Sequence, residues 1–171
     1  ATCNIDVSCR PDSSSESRSV ARMIFVENGS AFVCTGTLLN DAQSSSTPYF
    51  LSANHCVSTQ AAASTVTTDW FYRSATCNTN EVNAGTQRLY GGATLLYAEA
   101  ATDTAFMRLN AAPPAGIVYA GSYFGAVVEG AGALRSHHPQ GDLQKYSEGV
   151  GKQFNNCTFE TCQVGTAQDG R

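Results

Sequence analysis

The chain has 171 residues, 42% of them hydrophobic, enough for one large domain or two small ones around a buried core. Charged residues make up only 14%, the net charge is −4, and no run of basic residues occurs, which removes the electrostatic basis for nucleic-acid binding. No apolar stretch approaches the roughly 18–20 residues of a membrane helix, and the opening Ala1-Thr2-Cys3 lacks the pattern of a signal peptide, as expected of a processed, secreted protein.

In chain order the pattern is β throughout. Ser19 to Val26 is rich in β-branched and aromatic residues, and Asn28-Gly29 follows as a two-residue hairpin signal. Ala31 to Leu39 is the return strand. A polar loop, Ser44 to Pro48, precedes a short strand, Tyr49 to Ser52. Ala61 to Ala63 hints at a turn or two of helix. Thr65 to Tyr72 alternates, with Val66, Thr68, Trp70 and Tyr72 on one face and Asp69 on the other. Further strands are expected near Gln87–Leu89, Ala93–Ala98, Thr104–Leu109, Val118–Phe124, Gly125–Leu134 and Gln144–Ser147. Short strands at regular spacing predict an all-β sandwich or barrel. The linker candidate Ala111 to Gly116 divides a complete unit, residues 1–112, from a shorter second piece, 113–171, with some three strands, too few to close a barrel.

Seven cysteines, at 3, 9, 34, 56, 77, 157 and 162, show no C-x-x-C pairs, so a disulfide framework in an oxidising compartment fits better than zinc. An odd number leaves one without a partner inside the chain. No metal or organic cofactor is implied.

His55 lies where an apolar strand runs into a small-residue turn, S-A-N-H-C, and the segment C-T-G-T-L-L from Cys34 precedes it. A Cys34–Cys56 bond would pin the histidine turn to the neighbouring strand, useful for a general base that must be held in place. A His-Cys pair alone is often incidental. Asp103, at the mouth of the apolar strand D-T-A-F-M-R-L, can be buried there and accept the imidazole Nδ1–H. It could equally satisfy backbone N–H groups at a strand start. Asp69 and Asp142 are rival carboxylates, read as structural or solvated. His137 and His138 are adjacent, and neighbours on a strand face opposite ways, which argues against both holding one ion.

Together these segments resemble the histidine and aspartate blocks of the chymotrypsin-like serine proteases, and they come in that family's order. Cys3-Asn4-Ile5-Asp6-Val7, Pro48 to Ala53 and His137-His138-Pro139-Gln140-Gly141-Asp142 are similar to the bacterial lysyl endopeptidase group across essentially the whole chain. The resemblance implies a two-barrel fold with an incomplete second barrel, and hydrolysis of protein or peptide substrates after Lys or Arg. It casts His55 as general base and Asp103 as its orienting carboxylate. It also implies pairs Cys34–Cys56 and Cys9–Cys77, and a bond from Cys3 to polypeptide beyond residue 171; Cys157 and Cys162, close in sequence, are left to form a local loop. His138 is placed near the substrate cleft, where it could border the specificity pocket. The group's lysine-specific members carry a tryptophan near the histidine region, whereas the one tryptophan here is Trp70.

No G-[DS]-S-G motif occurs in the 171 residues. The nucleophile is therefore expected on a second chain, disulfide-linked through Cys3, following a cut after Arg171 made by the protease itself or set by a recombinant boundary. Taken literally, the chain could instead be a protease-like binding protein without a nucleophile, or a disulfide-rich β adhesin.

Overall fold

The computed structural model describes residues 4–10, 14–157 and 161–165. Twelve strands, two short α-helices and two single 3-10 turns, Val7–Cys9 and Pro139–Gly141, occur among them. In chain order the strands and α-helices are β1 (Ile5–Asp6), α1 (Ser14–Ser17), β2 (Val20–Glu27), β3 (Ser30–Leu39), β4 (Tyr49–Ser52), α2 (Gln60–Ala63) and β5 (Thr67–Trp70). Then come β6 (Gln87–Leu89), β7 (Ala93–Glu99), β8 (Thr104–Leu109), β9 (Gly132–His137), β10 (Lys145–Val150), β11 (Phe154–Cys157) and β12 (Cys162–Gly165).

The Asn28-Gly29 pair turns the chain with φ of 50° and 79°, as a tight hairpin requires. It sets the register from Glu27↔Ser30 up to Val20↔Thr37. Seven strands then form one antiparallel sheet in the order β6-β5-β2-β3-β4-β8-β7. Its inner face carries Met23, Leu38, Phe50, Trp70, Ala93, Met107 and Leu109, with Leu89 packed against them, so every strand contributes to a single core. Burying large side chains from opposite ends of the strand order obliges the sheet to curl around them. Phe50 meets Trp70 edge-on at 6.2 Å between ring centroids. Gly36 makes that ring position possible, because a Cβ there would lie 2.2 Å from Phe50 Cε1. Gly92 is also required: its φ is +70° and a Cβ would sit 2.3 Å from the Ser64 carbonyl oxygen.

A second sheet has the order β1-β10-β9, and β11 and β12 form a separate hairpin. The first strand of the chain thus belongs with strands more than a hundred residues later, through Ile5↔Tyr146 and Asp6↔Lys145. Sequence periodicity carries no trace of so distant a pairing. Where strands were expected over Val118–Phe124 and Gly125–Leu134, none forms before Gly132; the only ladder contact is the bridge Leu39↔Ala120. Tyr123 and Phe124 are exposed, the latter 95%, so these apolar side chains have no surface to pack on among the described residues. The β11–β12 hairpin, not expected from the sequence, sets Cys157 directly across from Cys162.

Candidate functional site

Register brings the site together. In the β4–β8 ladder Ser52 pairs with Ala105, so the residues following β4 meet those preceding β8. Asn54 N–H donates to the Asp103 carbonyl at 3.1 Å, and the Cys56 and Val57 amides close back on the Ala53 carbonyl. His55 is therefore presented on a tight turn beside Asp103. Asp103 adopts φ 48°, a left-handed conformation that Asp tolerates better than most residues.

The Asp103 carboxylate grips His55 at two points. Oδ1 accepts the His55 backbone N–H at 2.9 Å, and Oδ2 lies 2.7 Å from Nδ1. The hydrogen bonds from the His55 amide and then from its ring hold the Asp103 carboxyl below its ordinary range. An ionised carboxylate only accepts, so Nδ1 carries the proton and Nε2 presents a lone pair. Nε2 has no partner among the described residues. The turn is held from the other side by the Cys34–Cys56 disulfide, while Ser52 Oγ donates to the Thr35 carbonyl at 2.9 Å. Contrary to the buried carboxylate expected, the Asp103 side chain is 52% exposed and that of His55 70% exposed. The pair lies on the rim of the seven-stranded sheet with no described residue over it.

Cys34, His55 and Cys56 offer donor atoms within 4.8 Å of one another. The two sulfurs are bonded to each other, so neither is available as a thiolate ligand. Cys9 is bonded to Cys77, which ties the segment after β1 to the first sheet. Cys162 is also disulfide-bonded. The side chain of Cys157 and all of Cys3 lie outside the described residues, and with them the expectations placed on those cysteines.

Asp69 is not solvated. Its side chain is 2% exposed and takes hydrogen bonds from Arg22 Nε and Nη2 at 2.9 and 2.6 Å and from Arg88 Nε and Nη2 at 2.6 and 3.0 Å. Burial pushes this carboxyl upward, but the two guanidinium groups outweigh it and the net direction is down. Arg22 also covers the Tyr72 ring at 3.6 Å and donates to the Gly141 carbonyl at 3.0 Å. The sequence signal for this network was available but weak: charged residues at 22, 69 and 88 sit within strand patterns next to apolar neighbours, and two of them pair as Asp69↔Arg88 across the ladder.

His137 and His138 are both buried. His137 Nε2 lies 3.1 Å from Asn4 Oδ1, and His138 Nδ1 lies 3.0 Å from the Asp142 carbonyl. At 4% exposure the His138 ring offers no open face to a ligand in this structure. Asp142 caps its own turn, accepting from the Leu143 amide at 2.7 Å.

A histidine–aspartate pair at one end of a curled antiparallel sheet, with a smaller sheet beside it, defines a serine-protease fold. Its architecture is shared with a thermostable serine protease, AL20, from an extremophilic microorganism: the TM-score is 0.52 at 15% identity, covering 83% of this chain and 68% of that one. The chain belongs to the lysyl endopeptidase C-terminal domain family, whose model matches residues 1–169. It is 36% identical over 157 residues to the lysyl endopeptidase of Pseudomonas aeruginosa, covering 86% of this chain and 34% of that protein. It is also 31% identical over 98 residues to secreted RxLR effector protein 73 of Plasmopara viticola, covering 54% of this chain and 23% of that protein. The chain thus spans about a third or less of the length of these relatives.

Proposed function

We propose that the protein is a secreted bacterial serine endopeptidase that cleaves after Lys or Arg by an acyl-enzyme route. The observation that carries this reading is the two-point grip of Asp103 on His55, which selects the tautomer a general base needs. In the proposed mechanism His55 Nε2 takes the proton of a serine hydroxyl as that oxygen attacks the scissile carbonyl. Asp103 stabilises the resulting imidazolium, and His55 then protonates the leaving amine. Water repeats the sequence to release the acid product. Backbone N–H groups beside the serine would hold the oxyanion, a contribution of several kcal/mol in comparable enzymes.

The nucleophile is proposed to lie on polypeptide outside these 171 residues, as a G-[DS]-S-G motif is absent from them. That polypeptide would complete the second barrel of residues 113–171, cover the exposed His55–Asp103 rim, and be joined through Cys3. Two-barrel division at residue 112 and extracellular location follow from the same reading, supported by the disulfides and the family. The preference for a basic residue is drawn from the Pseudomonas relative, which is a lysyl endopeptidase.

Fluorophosphonate labelling of the whole protein, with cleavage of peptides carrying Lys, Arg or Leu at the scissile position, tests this reading. Labelling with cleavage after Lys or Arg is the expected result. Absence of labelling would sink it in favour of a non-catalytic, protease-like binding protein. Intact mass before and after reduction tests the Cys3 link: release of a smaller chain on reduction is expected.

A further inference from the structure

The second sheet is tethered to the first at its β1 end by the Cys9–Cys77 disulfide and by hydrogen bonds of Asp6 and Ser8 to the Ser74–Asn78 loop, and at β9–β10 by hydrogen bonds that converge on the segment His137 to Gln144. The His138 amide donates to Thr35 Oγ1 at 3.0 Å, and Arg22 Nη1 donates to the Gly141 carbonyl. The Gln144 amide donates to the Tyr72 carbonyl at 2.9 Å, and Gln144 Nε2 donates to the Ser17 carbonyl at 2.9 Å. The His138 ring lies inside this junction, 6.0 Å from the Tyr72 ring.

Its two nitrogens are treated differently. Nδ1 faces a carbonyl, which can only accept, so Nδ1 carries the proton. Nε2 is then an unprotonated acceptor, and it is buried with no hydrogen-bond partner. A second proton would have to go there, creating a cation whose new N–H finds no acceptor. The surrounding charges do not rescue it. Arg22 on β2 opposes a positive ring, as does His137 beside it; Asp69 on β5 favours one but is already engaged by Arg22 and by Arg88 on β6. Thr35 on β3 offers a hydroxyl already used by the His138 amide, and the Asp142 carboxylate is turned to the Leu143 amide.

We propose that His138 is an acid-sensitive latch: its neutral ring permits the β9–β10 segment His137 to Gln144 to dock on the seven-stranded sheet, and protonation at Nε2 opens that junction while the Cys9–Cys77 tether at the β1 end stays closed. Burial first, and Arg22 as well, pull the ring's pKa from 6.5 down to about 4, in the direction the geometry requires. A group whose folded pKa is depressed in this way, and which is neutral when folded, contributes full docking stability above its free pKa. That stability drains away as pH falls from 6.5 towards 4.

The test reads docking and not catalysis, so its failure leaves the protease reading intact. Amide hydrogen exchange on the intact protein, corrected for intrinsic rates, is followed by NMR from pH 7 to pH 3.5. The His138 and Gln144 amides should lose protection by about a hundredfold at pH 4 relative to pH 7, while the Met23 and Phe25 amides within β2 stay protected. The variant His138→Asn, which keeps a donor towards the Asp142 carbonyl but cannot charge, should abolish the step; His137→Asn, which removes the neighbouring ring whose Nδ1 is also buried without a partner, should leave the step at the His138 midpoint in place. Should His138→Asn fail to fold, the ring titration of His138 in the wild type decides: its midpoint must coincide with the loss of amide protection. Flat protection, an unchanged step in His138→Asn, or a ring that titrates without loss of protection would overturn the proposal.

Discussion

Replacing Asp69 by Asn removes the one anion between two arginines while keeping side-chain size. In the wild type, four hydrogen bonds reach a carboxylate that is 2% exposed, and the Arg22 side chain facing it is only 16% exposed. An amide cannot receive both guanidinium groups, so Arg22 is left against Tyr72 without a counter-ion. Removing one partner of a buried ion pair costs about 3–5 kcal/mol. The lower end applies here, because the Arg88 side chain is 43% exposed and can turn to water. About 3 kcal/mol should lower the unfolding midpoint by ~6–12 °C for a domain of this size. The pH dependence has a definite sign. The folded carboxyl lies below the ordinary 3.8, so its contribution is present above that value and is lost as pH falls through the folded pKa. Urea unfolding of wild type and Asp69→Asn should therefore differ by about 3 kcal/mol at pH 7 with equal slopes, and the gap should narrow below pH 3.8. A difference under ~1 kcal/mol, or one that persists unchanged into acid, would refute the reasoning.

Three further outcomes are expected. Removing the Cys34–Cys56 bridge by double substitution to Ser opens a loop of sequence separation 22 and should cost about 3 kcal/mol, measured by urea unfolding; it should also broaden the His55 ring resonances. Gly36→Ala forces a methyl into the Phe50 ring and should destabilise by ~1–3 kcal/mol, with near-ultraviolet circular dichroism of Trp70 altered, since Phe50 cannot move without pushing it. Asp103→Asn in the whole protein should lower kcat by ~10³–10⁴ with little change in KM, because the amide no longer selects the Nδ1–H tautomer.

The first sheet was legible because its signals are local. Asn28-Gly29 fixes a hairpin, β4 ends in the S-A-N-H-C turn, and Asp103 immediately precedes β8, so the two halves of the site were readable from strand ends. What brings them together, the Ser52↔Ala105 register, is a pairing across more than fifty residues that no local pattern encodes. The same limit hid the β1–β10 pairing and the position of Arg22, whose hydrogen-bond partners lie on β5 and the Gly141 turn. Residues 118–131 misled because an apolar, β-branched run reads as a strand whether or not a neighbour exists to pair with it; those side chains are largely exposed. Asp69, read as structural or solvated, is structural, and the sequence could not decide between the two. A lone acid in a strand suggests an outward face, and only the three-dimensional placement of Arg22 and Arg88 makes its burial tolerable.

The central claim, that His55 is the general base of a serine endopeptidase, is tested most directly by kcat/KM of the whole protein carrying His55→Ala on a lysyl or arginyl peptide. The account predicts a fall of at least ~10³, with a residual rate from binding and the oxyanion donors. Hydrolysis at the wild-type rate would contradict it.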